Sequence, residues 1–172
     1  DVATLVSFAG PLAPYYGESL ALTNGPIVQA TFAPGDAFRR ARKVSASLTT
    51  VEQPLELDET GKAAVITTAI ALGVDASNAK VYSLGCGMEL LPDPERRLTL
   101  TDEKDARGLP RLKLSMRIGE ADFALYHDTL RELGRQLLAA GSGMLKINRR
   151  ENWSENMDWG NHHLGTTRMH DD

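Results

Sequence analysis

The sequence predicts an α+β fold, an antiparallel sheet with helices packed on one of its faces. Stretches between residues 81 and 117 alternate apolar and polar side chains, as half-buried strands do. A long stretch from residue 120 instead repeats its apolar residues at helical spacing, and turn-forming Gly, Pro and Asp separate the segments. The 172 residues suffice for one domain with a core, and 42% hydrophobic with 24% charged content is that of an ordinary globular domain.

In chain order, residues 10–17 and 24–26 read as a loop and a turn, and residues 27–32 as a weakly alternating strand. Asp36, behind Pro34 and Gly35, is placed to cap a helix running to about residue 48. Residues 59–72 are ambiguous, since their alanines favour helix while Val65, Ile66, Thr67, Thr68 and Ile70 favour strand. Residues 81–91 are apolar and aromatic, with Gly85 and Gly87 marking a bulge or a close backbone approach. Pro92-Asp93-Pro94 forces a turn. Residues 97–101 form a short strand, 102–108 a charged loop, and 111–117 another strand. That last strand carries Leu112, Leu114 and Met116 on one side and Arg111, Lys113, Ser115 and Arg117 on the other. Together these segments predict an antiparallel meander with one wet face. The helix at 120–140 buries Phe123, Tyr126, Leu130, Leu133 and Leu137, with Glu120 and Asp122 at its positive end and Gly141 as its left-handed stop. His127 lies beside that stripe and is given no role. Residues 143–147 are a further short strand.

Charge and composition exclude several functions. A net charge of −4 opposes nucleic-acid binding, and the short basic run Arg39, Arg40, Arg42, Lys43 reads as the solvated side of a helix. The longest apolar stretch, residues 63–74, is too short to span a bilayer, and no charged-then-apolar leader opens the chain. The compartment, cytoplasmic or periplasmic, stays open. The single Cys86, between Leu84 and Met88, forms no intrachain disulfide and reads as a buried thiol.

The polar chemistry gathers in residues 148–172, which hold both tryptophans and three of the four histidines. Such a mixture of aromatics, amides and imidazoles suits a pocket with polar groups on an apolar wall. Trp153 and Trp159 serve equally as that wall for a substrate's carbon face or as core. Three readings of Asn161-His162-His163 compete: two structural histidines, a metal site with His170 and Asp171, or general-base catalysis. Adjacent histidines diverge and no known ligand spacing is present, which disfavours metal. The first and third readings remain open on the residues alone.

Three sequence elements carry a resemblance. Asn161-His162-His163-Leu164-Gly165-Thr166-Thr167-Arg168-Met169 resembles N-H-x-x-G-T-x-R-M, the signature of the glucose–methanol–choline family of FAD-dependent oxidoreductases. Glu89 to Leu100 resembles that family's E-x-x-P-[DN]-P-x-[NS]-R-V-T-L element, and Asp105-Ala106-Arg107-Gly108-Leu109-Pro110 its D-x-x-G-x-P link. The match covers roughly residues 80–172, in the right order, and is most similar to sugar- and polyol-oxidising members.

The resemblance implies that His162 takes a proton from a substrate hydroxyl as hydride moves to FAD, with Asn161 shaping the site. It also implies that Gly165 and Thr166 turn the backbone toward the flavin, and that Arg168 is structural. His163 falls on a variable position. On this reading residues 1–147 are a substrate-binding type of α+β region, and 148–172 begin a C-terminal catalytic segment. The G-x-G-x-x-G fingerprint that would seat a dinucleotide is missing, and the family continues past the point where this chain stops. The chain is therefore expected to be part of a larger FAD-linked fold, inactive and weak in FAD binding when isolated. Its expected partners are an alcohol or sugar substrate, the remainder of the same polypeptide and an electron-acceptor subunit, without nucleic acid or membrane insertion. The alternative is a non-catalytic carbohydrate- or protein-binding module on the same fold.

Overall fold

The computed structural model describes residues 3–8, 20–21, 25, 27–28, 31–44, 47–148, 151 and 153. The described part is α+β. Its strands are β1 (Ala3–Ser7), β2 (Leu20–Ala21), β3 (Ile27–Val28), β4 (Thr31–Phe32), β5 (Ser47–Pro54), β6 (Lys80–Met88), β7 (Arg97–Lys104), β8 (Pro110–Ser115) and β9 (Gly143–Ile147). Its helices are α1 (Asp36–Arg42), α2 (Glu59–Leu72) and α3 (Glu120–Ala139). A five-stranded sheet runs β4-β5-β6-β1-β9, every neighbouring pair antiparallel. Two further pairs, β2 with β3 and β7 with β8, stand as separate two-stranded sheets.

Register decides which side chains share a face. Leu5 lies opposite Tyr82 on one side and Leu145 on the other, whereas Val6 lies opposite Val81 and Met144. On the first face Ala3, Leu5, Val51, Tyr82 and Leu84 are buried with Tyr126 and Leu130 of α3. On the opposite face Val6, Phe8 and Val81 are buried with Ala69 of α2. The helices thus cover both faces of the sheet, correcting the expectation of one. The cause is visible in β1, where Leu5 and Val6 are both apolar and point to opposite sides, so each face needs its own cover.

Local chemistry explains most element boundaries. The ambiguous segment 59–72 is a helix because both ends are capped. Asp58 accepts the Gly61 N–H at 2.7 Å, and Gly73 closes the helix at φ +67°. The β-branched residues are accommodated within it, Thr68 donating to the Ala64 carbonyl at 2.8 Å. The helix expected to reach residue 48 is shorter. Gly35 is its N-cap, Asp36 is its first residue, and Lys43 ends it in the left-handed region at φ +57°. Chain that was expected to continue this helix enters β5 instead, where Val51 and Thr49 are buried in the sheet. The basic run of α1 is solvated as expected, with Arg42 paired to Asp128 of α3 at 3.0 Å.

Two strand expectations are also corrected. Residues 27–32 divide into β3 and β4, which belong to different sheets. The predicted meander is interrupted, because β6 does not pair with β7 and the 97–115 hairpin forms a sheet of its own. Pro92 and Pro94 intervene, and proline supplies no backbone donor for a ladder. The helix at 120–140 and the strand at 143–147 form where predicted, with Gly141 at φ +63° between them.

Candidate functional site

Two of the three motif elements lie within the described residues, and both are built from turn chemistry. In the first, the Asp93 side chain accepts the Glu95 N–H at 2.9 Å while its carbonyl accepts the Arg96 N–H at 2.9 Å. Those bonds close the turn that Pro92 and Pro94 initiate. The Glu95 backbone donor is the main reason the Asp93 carboxyl lies below the usual range, with burial opposing and Arg117 assisting at 3.3 Å. In the second, Asp105 Oδ1 accepts the N–H groups of both Arg107, at 2.8 Å, and Leu109, at 2.9 Å. Gly108 there adopts φ +80°, which a side chain would disfavour, and Pro110 opens β8. The D-x-x-G-x-P link is therefore the tip of the β7–β8 hairpin.

The strongest electrostatic feature is one that the sequence did not single out. Asp122, at the third position of α3, is 1% exposed and pairs with the nearly buried Arg96 through Nη2 and Oδ2. Its carboxylate also accepts the Leu91 N–H and the Gly119 N–H, each at 2.8 Å. Arg96 meanwhile donates to the carbonyls of Leu91 and Arg117. One clasp thus ties the Pro-Asp-Pro turn, the end of the hairpin and the start of α3 together. Burial opposes the Asp122 charge, but the Arg96 side chain and the two backbone donors outweigh it and hold the carboxyl below its ordinary range. The only sequence signal was an acidic residue near a helix start, which points to the helix dipole and not to Arg96.

Of the predicted site residues, Trp153 is described. It is 1% exposed and packs its ring against Phe123 and Tyr126, with centroids 6.2 and 6.0 Å away. It belongs to the hydrophobic core cluster on the α3 side of the sheet. Its indole Nε1–H is buried with no acceptor among the described residues. Burial pushes the Tyr126 hydroxyl up to about 12, so that phenol stays protonated at neutral pH. Asn161, His162, His163, Gly165, Thr166, Trp159, Arg168, His170 and Asp171 lie outside the described residues, as do the loop and turn read at 10–17, 24 and 26.

The remaining sequence features take structural places. Cys86 faces the α3 side of the sheet, and burial raises its thiol pKa against an opposing hydrogen bond from Thr49 at 3.6 Å. Such a thiol is a poor nucleophile. Gly85 lies mid-strand where a Cβ would run into the side chains of Glu52 and Thr50. Gly143 presses on β1, since a Cβ there would sit 2.7 Å from the Val6 carbonyl oxygen. Neither of these two glycines opens a helix. Among the described residues no three His, Cys, Asp or Glu side chains gather as metal ligands, and no helix is long and apolar enough to cross a membrane.

No protein-family model matches the chain, and neither a curated protein nor a solved structure matches it.

Proposed function

We propose that this chain is the substrate-side part of a flavoprotein that oxidises an alcohol group of a sugar or polyol. The observation carrying this reading is the ordered occurrence of three elements resembling the glucose–methanol–choline family, at residues 89–100, 105–110 and 161–169. In the proposal His162 accepts the proton of the substrate hydroxyl, its near-neutral intrinsic pKa suiting that transfer. Asn161 shapes the site around the reacting oxygen, and Gly165 and Thr166 turn the backbone toward the flavin. FAD, held mostly by polypeptide beyond these residues, accepts the hydride when bound.

The described part contributes positioning. Trp153 is anchored in the core shortly before Asn161, and the Arg96–Asp122 clasp keeps the first motif element against α3. With Trp153 packed inside, Trp159 is the remaining tryptophan for the apolar wall.

The reading is tested by stopped-flow reduction of the bound flavin in the intact protein under anaerobic conditions. His162→Ala is expected to slow reduction at least ~100-fold, the lower range for losing a general base, while His163→Ala leaves it nearly unchanged. The reverse ranking, or two unaffected variants, would remove the proposal.

A further inference from the structure

The β7–β8 hairpin stands apart from the packed body of the molecule. Among the described residues its two strands pair only with each other, and none of residues 97–117 belongs to either hydrophobic cluster that joins the five-stranded sheet to α2 and α3. Two short connections carry the chain into it and out of it, residues 89–96 from β6 and residues 116–119 to α3. A two-stranded ribbon is only marginally stable by itself, so its orientation depends on what ties it to the rest.

Those ties converge on one side chain. Arg96, at the foot of β7, donates from Nε to the Arg117 carbonyl at 2.8 Å and so closes the stem across both strands. Its Nη groups reach Asp122 of α3. The other stem pairs, Arg97 with Glu95 and Arg117 with Asp93, stay within the hairpin and the turn that leads into it, and both are open to solvent. Among the described residues, no other hydrogen bond or ion pair joins residues 92–118 to a helix or to the five-stranded sheet.

The tie is also of a kind that imposes one geometry. Asp122 is buried, and besides Arg96 it accepts the N–H groups of Leu91 and Gly119, one on each connection of the hairpin. A carboxylate held by a guanidinium and two backbone donors fixes direction as well as distance. Removing either partner leaves the other buried without its counter-charge.

We infer that the hairpin is a flap that turns as a unit on its two connections, and that the Arg96–Asp122 pair is the latch that fixes it against α3. Opening the latch frees the hairpin, while β1, β6 and α3 keep their places through Leu5, Leu84, Tyr126 and Leu130. The flap carries the whole of the 105–110 element and the strand half of the 89–100 element. The inference rests on the contacts of the described residues and is independent of the flavoprotein reading.

Pulsed dipolar electron spin resonance on the full chain tests this. Nitroxides are placed on Arg107→Cys at the hairpin tip and on Arg131→Cys, an exposed position of α3, in a Cys86→Ala background. The expected result is one narrow distance while the latch is intact. Asp122→Asn is expected to spread it into a broad distribution without altering the far-ultraviolet circular dichroism. Arg96→Gln leaves Asp122 its two backbone donors and is expected to do the same, and it serves should Asp122→Asn disturb folding. Arg117→Gln removes the solvent-open pair with Asp93 and spares the latch, so the narrow distance is expected to persist. Four results would overturn the inference: a broad distribution with the latch intact, a narrow one in either folded latch variant, equal broadening by Arg117→Gln, or loss of folding in both latch variants. The last would make the pair a part of the core and not a latch.

Discussion

The β6 strand and the β7–β8 hairpin follow the same rule of alternation and reach opposite ends. Tyr82 and Leu84 of β6 point to one side and are buried beneath α3, while Leu112 and Leu114 of β8 also point to one side and stay exposed. The alternating residues differ, for Val81 and Ser83 of β6 are buried on its other face, whereas β8 carries Arg111 and Lys113 there. What also differs is the next layer, because α3 lies over the five-stranded sheet and nothing described lies over the hairpin. Alternation therefore identifies the apolar face of a strand, but burial depends on an element elsewhere in the chain. The clasp of Arg96 and Asp122 sits at the junction, binding the stem of the exposed ribbon to the helix that covers the sheet.

Breaking that junction should have the largest effect. Asp122→Ala leaves Arg96 buried without its partner and orphans the N–H groups of Leu91 and Gly119, an expected loss of about 3–5 kcal/mol in urea unfolding. A loss under 1 kcal/mol would show that the clasp is incidental to the junction.

The contrast in burial gives the next effect. Leu130→Ala, in the core under the sheet, should cost about 2–5 kcal/mol, whereas Leu112→Ala on the hairpin should change the stability of the isolated chain by no more than roughly 0.5 kcal/mol. Equal costs would mean that the hairpin face is packed after all.

Acid sensitivity is the smallest and most specific test. The folded carboxyl of Asp122 titrates below its unfolded value, so its contribution is fully present above the ordinary aspartate range. It is then lost as pH falls through the lowered folded value. Wild type should lose stability across that acidic window, and Asp122→Asn should flatten this part of the profile. Unfolding midpoints measured from neutral pH down to strongly acidic pH check the difference, and parallel profiles for the two proteins would count against the clasp as the acid-sensitive element.

Much of the architecture was legible because it rests on nearby residues. The α3 stripe, the Gly141 stop and the tip formed by Asp105 and Gly108 each follow from contacts a few residues long. The end of α1 was not legible because Lys43 supplies a left-handed stop that its residue type does not advertise. Arg96 was passed over because a charged residue in a charged stretch reads as solvated, and its partner lies 26 positions away. The packing of Trp153 against the rings of Phe123 and Tyr126 joins residues about 30 positions apart, which local sequence does not announce.

The amino-acid order alone determined where α1 and α3 begin, where the turns around Pro92 and Gly108 fall and which face of the hairpin is apolar, since each depends on side-chain chemistry or neighbouring backbone. The tertiary structure decided that β1 lies between β6 and β9, that α2 and α3 take opposite faces, and that Asp122 meets Arg96. These arrangements join residues far apart in the chain, and many alternative pairings satisfy the same local preferences. Only simultaneous packing and hydrogen-bond satisfaction across the whole core separates one pairing from the rest.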